Sequence, residues 1–291
     1  MKFNRRQGLQ GLLGAAAGGA IGTTAGARDA VAQTRAETLR QVMGGIINSL
    51  DPTTPGGTRE NFGLAMSTYD RLASFGVKEG EGGPTFDMDN IHGELADRID
   101  RSPDGLTYTF HIREGAMWHD GTPVTTADVK WSLDRMVSAR SLAPPQVASG
   151  SHTSPDQYSI VGDRQVQVKL PRPDRLALGN LCIPYALMIN STLAKKNATA
   201  DDPWAMNWLK ENTAGGGAYI VETNRPGQQV VLRRNDNWKN GKNGALPFFR
   251  RVILQTVPEA STRASLVERG DADLSIDLAA SDIPAIIQRG R

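Results

Sequence analysis

Asp104-Gly105-Leu106-Thr107-Tyr108-Thr109-Phe110-His111-Ile112, running on through Trp118 and His119 to Asp120-Gly121-Thr122-Pro123-Val124-Thr125-Thr126-Ala127-Asp128-Val129, decides how this chain is read. Ser102-Pro103-Asp104-Gly105 is a turn signal, because proline presets φ and glycine accepts the left-handed conformation. Residues 106–112 then alternate apolar and polar, the pattern of a strand with one buried face. Asp120-Gly121-Thr122-Pro123 makes a second turn, after which Thr125 or Thr126 caps a helix. The apolar stripe of that helix is Val129, Leu133, Met136 and Val137, with Trp131 on its flank. The unit predicted is strand, turn, helix.

Working outward, Tyr158-Ser159-Ile160-Val161 and residues 165–170 form a hairpin across Gly162-Asp163, stopped by Pro171 and Pro173. Upstream, residues 38–47 predict a strand, Asp51-Pro52-Thr53-Thr54-Pro55-Gly56-Gly57 a loop, and residues 60–75 a helix with Phe62, Met66, Tyr69, Leu72 and Ala73 on one face. Residues 76–83 predict a glycine-rich loop. Downstream, residues 218–222 and 229–233 pair around Arg225-Pro226-Gly227, and residues 249–257 form another strand. A short helix over residues 261–270 ends at Gly270, and residues 271–276 are a last strand candidate. Helices and strands alternate without a regular βαβ period, which leaves α/β and α+β both open.

The chain has 291 residues, 39% hydrophobic and 22% charged, with 31 glycines and 16 prolines, which is a globular composition rather than a disordered one. Its net charge of +2 is concentrated at the N-terminus. Residues 1–32 carry Lys2, Arg5, Arg6 and Arg28 against Asp29, and the rest of the chain has 29 basic to 30 acidic residues. That near-neutral body excludes nucleic acid as a partner, since phosphate binding needs clustered Lys and Arg.

Arg5-Arg6 precedes an uncharged, small-residue stretch from Gly8 to Ile21, too short and glycine-rich for a membrane span. Small-x-small sites follow at Ala25-Gly26-Ala27 and Ala30-Val31-Ala32. Residues 1–32 are expected to be an export signal, twin-arginine-like or Sec, leaving a periplasmic protein that starts near Gln33. Cys182 is the one cysteine, sits in the apolar run Leu181-Cys182-Ile183-Pro184, and is expected to be a buried hydrophobe with no disulfide.

Catalytic motifs are missing: no G-x-S-x-G, no G-x-G-x-x-G after a strand, no P-loop and no H-E-x-x-H. His92, His111, His119 and His152 lack ligand-type spacing and are expected at surface or structural positions. Asp271, Asp273 and Asp277 lack the glycine and closing glutamate of a calcium loop, so they are expected to be strand-edge carboxylates. Trp118, Trp131, Trp204 and Trp208 are expected mainly in the core. No metal or cofactor is expected.

Three segments together resemble one family, the periplasmic solute-binding proteins of ABC importers for peptides, nickel and related solutes. The first is Gly93-Glu94-Leu95-Ala96-Asp97 with the opening stretch from Asp104 to Val129. The second is Gly215-Gly216-Gly217-Ala218-Tyr219, then Pro226-Gly227-Gln228 and Leu232-Arg233-Arg234-Asn235-Asp236-Asn237-Trp238, with Ala218 where the family usually has proline. The third is Pro258-Glu259-Ala260-Ser261-Thr262-Arg263 with Gly270-Asp271-Ala272-Asp273-Leu274.

The resemblance implies an α/β, type II-like periplasmic binding fold, present here as a first lobe with the second lobe largely missing. It divides the chain into a discontinuous first lobe (residues 33–75 and 175–275), an inserted small domain (76–174) and the start of a crossover (276–291). It implies a monomer that captures an oligopeptide-like solute and delivers it to an ABC permease in the inner membrane. The loop Thr54, Pro55, Gly56, Gly57 and Thr58 would meet the solute, its glycines letting backbone groups approach. The competing expectations are a secreted hydrolase, a chaperone-like fragment, and a truncated binding protein without solute affinity.

Overall fold

The computed structural model describes residues 35–238 and 245–290. The export signal expected over residues 1–32 lies outside the described residues.

Three sheets organise the chain. The strand read from the opening stretch is β5 (Thr107–Ile112), in a four-stranded antiparallel sheet of order β4-β5-β7-β6 with β4 (Ala96–Arg101), β6 (Tyr158–Gly162) and β7 (Gln165–Lys169). Alternation sets its buried face: Tyr108, Phe110 and Ile112 point inward, opposite Val166 and Val168. The following helix, α2 (Thr126–Ser138), is capped by Thr125 rather than Thr126, through a reciprocal box with Asp128. Val129, Leu133 and Met136 close over Phe110, which is fully buried. Trp131 is buried as well, against Trp204 at 5.4 Å between ring centroids.

A five-stranded mixed sheet has the order β11-β1-β10-β9-β8, built from β1 (Thr38–Met43), β8 (Tyr219–Arg225), β9 (Gln229–Arg234), β10 (Arg251–Thr256) and β11 (Leu274–Ser275). Strand β1 runs parallel to both β10 and β11. Helix α1 (Arg59–Thr68) lies on one face of this sheet, and α6 (Ala260–Arg269) ends as expected at Gly270, which takes φ +76°. Shorter helices are α3 (Ala143–Val147), α4 (Ser191–Lys196), α5 (Met206–Leu209) and α7 (Ile283–Gln288). Among the described residues no helix is long and apolar enough to cross a membrane.

The third sheet corrects two expectations. The helix predicted over residues 60–75 stops at Thr68, because residues 68–73 are buried on every side and pair non-locally. Asp70 O accepts from Met188 N, Arg71 O from Leu95 N, and Leu72 O from Glu94 N, so the backbone is extended there. A run buried all round carries no period that separates helix from strand. The glycine-rich residues 76–83 are not a loop but part of a hairpin, β2 (Ala73–Gly80) with β3 (Gly83–Gly93). Gly76 sits at the register shift, where a Cβ would fall 2.9 Å from Asn90 O, and Gly83 takes φ +113° at the turn.

Three strand expectations shorten, the one over residues 249–257 to Arg251–Thr256. β1 ends at Met43 instead of residue 47, because Gly44 and Gly45 pack against the Arg263 guanidinium and the Glu60 carboxylate. β11 keeps only Leu274–Ser275 of the predicted 271–276, since the N–H groups of Asp271 and Ala272 cap α6 through Leu266 O.

Single polar residues take structural places. His152 is buried between Ala177 O (2.9 Å) and the Tyr158 hydroxyl (3.1 Å). His119 bonds Gly217 O and His111 bonds Asp100. Cys182 is buried, and burial pushes its thiol up to about 12.

Candidate functional site

In sheets with parallel strands, ligands bind beyond the carboxyl ends of those strands, where loops converge and backbone N–H groups face outward. Here the parallel trio β11-β1-β10 brings together the chain after Met43, after Thr256 and after Ser275. Arg263 ties two of these exits, donating to Val257 O and Pro258 O (2.7 Å each) and to Asp277 O (2.5 Å). Asp277 ties the third: its carboxylate accepts from Gly44 N (3.0 Å) and from Arg59 (2.5 Å). The hydrogen bond from Arg59 holds this carboxyl below its ordinary range. Asp277 is thus a clasp between α1 and β1, whereas Asp273 is the strand-edge partner of Arg35 and Arg40 N.

The loop after β1 has a locked base and a presented tip. At the base, Asp51 is 3% exposed and its Oδ1 accepts from both Thr53 N (2.9 Å) and Thr53 Oγ1 (2.7 Å). Its Oδ2 accepts from Arg135 Nη2 at 2.5 Å, both side chains being buried. Leu50 N donates to Lys210 O and Leu142 N to Thr53 O, both at 2.8 Å. The tip is Thr54 to Thr58, and all five residues expected to meet the solute lie there together. Pro55 and Gly56 are exposed, while Thr54, Gly57 and Thr58 are half-buried.

Local hydrogen bonds shape the tip without burying it. Gly57 N bonds Thr54 O (2.9 Å), Asn48 Nδ2 bonds Gly56 O (3.0 Å), and Thr58 Oγ1 bonds Ile46 O (2.5 Å). Asn61, wholly buried at the start of α1, completes this with Asn48 Oδ1 at 2.9 Å. Gly56 takes φ +77° with open space beside its Cα, so a bound chain can approach its backbone. The family resemblance points to the tip and does not point to Asn48, Asn61, Arg59 or Arg135. Asn48, Arg59 and Asn61 lie close to the tip in the chain but form no recognisable motif, and Arg135 reaches its base only across the fold.

Beside the tip, along α1, a cavity of ≈ 520 Å³ opens between that helix and the sheet. Leu39, Met43, Phe62, Leu64, Leu232 and Leu254 line it, with Arg59 and Glu60 at its polar end.

This geometry belongs to a known class. The model of the bacterial extracellular solute-binding proteins, family 5, middle region, matches residues 90–290, and the chain belongs to that family. Its α/β architecture is that of the type II-like periplasmic binding proteins. It is 30% identical over 246 residues to the probable D,D-dipeptide-binding periplasmic protein DdpA of Escherichia coli (strain K12), covering 83% of this chain and 44% of that protein. Among solved structures it is similar to the periplasmic binding protein DppA from Helicobacter pylori in complex with peptide STSA, with TM-score 0.71, 21% identity, and 86% and 48% of the two chains covered. It is also similar to AgaA of A. tumefacien R10 in complex with agropinic acid, with TM-score 0.70, 25% identity, and coverage of 86% and 46%. The chain spans about half the length of the relatives it matches.

Proposed function

We propose that this chain is the first, solute-gripping lobe of a periplasmic binding protein that hands an oligopeptide-like solute to an ABC permease in the inner membrane. The observation that carries this reading is the tip Thr54–Thr58, held by its base at the carboxyl ends of parallel strands while Gly56 leaves its backbone open to contact. Family membership and the peptide-bound relative support it. In this reading residues 33–75 and 175–275 form the lobe, 76–174 the inserted small domain, and the chain from 276 leads to the crossover. Residues 1–32 direct export, by a twin-arginine-like or Sec route, and the protein works as a monomer that binds without turnover.

Thermal-shift and calorimetric titration test the reading, on this chain and on the longest natural form of the protein. The probes are defined di- to pentapeptides, agropinic acid, a disaccharide and divalent metal salts. Peptide is expected to raise the melting temperature, because a ligand at about 100 times its Kd adds about 2.7 kcal/mol to the folded state. A shift with the opine or the sugar alone reassigns the solute class, and no shift with any probe overturns the reading.

A further inference from the structure

We propose that Arg135, remote from the exposed tip, is a positioning residue for solute binding: it holds the loop 49–58 in register with the neighbouring four-stranded layer. This inference rests on the solute reading given above and adds a residue to it.

Arg135 lies in the last turn of α2, a helix anchored by its capping box and by Val129, Leu133 and Met136 packed on the four-stranded sheet. The loop, in contrast, grows out of β1 in the five-stranded sheet. Arg135 is 4% exposed, and its guanidinium bridges the two. Nη2 donates to Asp51 Oδ2 (2.5 Å), Nη1 to Thr53 Oγ1 (3.4 Å), and Nε to Trp204 O (3.3 Å). One planar fork thereby reads a carboxylate, a hydroxyl and a carbonyl in fixed directions, which a lysine ammonium does not reproduce.

The consequence reaches the tip through Asp51. One of its oxygens is committed to Arg135 and the other to Thr53 N and Oγ1, so the carboxylate is oriented from both sides. Thr54 follows directly, its N–H on Asp51 O (3.3 Å) and its hydroxyl on Ser49 Oγ (3.1 Å), and Ser49 Oγ itself donates to Asp51 O (2.8 Å). Nothing between Arg135 and Thr54 is loose. Releasing the carboxylate frees Thr53 N and Oγ1, and Thr53 is the covalent link to Thr54, whose carbonyl accepts from Gly57 N at the turn around Gly56.

Arg135→Lys, Thr53→Val and Thr125→Ala are compared with the wild type by amide hydrogen exchange over residues 53–58 and by titration with a tripeptide series. Thr125→Ala weakens the same helix without touching Asp51, so it reports what loss of stability alone does. The expected result is exchange at the tip faster by about tenfold or more in Arg135→Lys, a smaller increase in Thr53→Val, and none in Thr125→Ala at a matched drop in melting temperature. Peptide Kd is expected to rise by about tenfold in Arg135→Lys with unchanged stoichiometry. Tip exchange and Kd equal to wild type in a folded Arg135→Lys protein overturn the proposal, as does an equal effect from Thr125→Ala. A wild type that binds no peptide overturns the solute reading instead, and the exchange comparison still decides whether Arg135 positions the loop.

Discussion

The four-stranded and five-stranded layers of this chain solve the same packing problem to different degrees. In the first, α2 closes over β5 and β7, and Phe110, Val129, Leu133, Val166 and Val168 are completely buried. In the second, α1 crosses the sheet face but leaves a ≈ 520 Å³ apolar cavity against Leu39, Met43 and Leu254. This pocket opens to solvent, so its lining meets water where the four-stranded layer meets packed side chains. Among the described residues the four-stranded layer is closed by its own helix, whereas the five-stranded one is only partly covered by α1.

The widest gap between the layers is expected from truncation at matched, fully buried positions. Leu133→Ala should cost about 4–5 kcal/mol in chemical denaturation, the high end for its type, since the closed core relaxes little around the hole. Leu232→Ala, 1% exposed but bordering the existing cavity, should cost about 2 kcal/mol, the low end for its type. Equal losses at the two sites would show that the cavity is packed in solution and break the comparison.

Acid should act next, on His152 within the four-stranded layer and on His119 where it meets the chain leading into β8. Burial pushes the His152 imidazole down, and burial does the same to His119 beside Gly217. Both therefore stay neutral when folded, while the unfolded chain takes up protons below about pH 6.5. Stability should then be complete above that value and fall as the pH drops toward the lower folded-state pKa values. Denaturation midpoints measured between about pH 7 and about pH 5 check this, and His152→Gln should flatten the slope.

Smaller effects mark the helices that cover each layer. Thr125→Ala should lower stability by about 1 kcal/mol, the usual worth of an N-cap, through fraying of α2. Gly63→Ala should raise it by about 0.5–1 kcal/mol, because Gly63 is mid-helix in α1 with nothing within 4 Å of its missing Cβ. A melting curve suffices for both. A destabilised Gly63→Ala protein would mean that α1 lies closer to a neighbour than the cavity implies.

The closed layer was the legible one. Its alternating strand, Pro-Asp-Gly turn and Thr125 cap are local signals, and local signals survive in a one-dimensional chain. Residues 68–83 are not legible locally, because their determinants are distant. The buried run 68–73 finds its hydrogen-bond partners at Glu94, Leu95 and Met188, and Gly76 and Gly83 serve a bulge and a turn rather than a loop. The tip of the loop was placed from residue type and resemblance, while the groups that hold it were not.

By itself, then, the sequence determined the parts whose physics is short-range: the strand and helix of residues 104–138, the hairpin over residues 158–169, the Gly270 cap, and an apolar cysteine. Tertiary structure alone decided which charges meet. Asp51 and Arg135 are 84 residues apart, and Asp277 and Arg59 are 218 apart. Such pairs carry no local pattern, because the fold and not the neighbouring residues decides which carboxylate a guanidinium reaches, and whether the pair is buried, as Asp51–Arg135 is, or open to water, as Arg59 is.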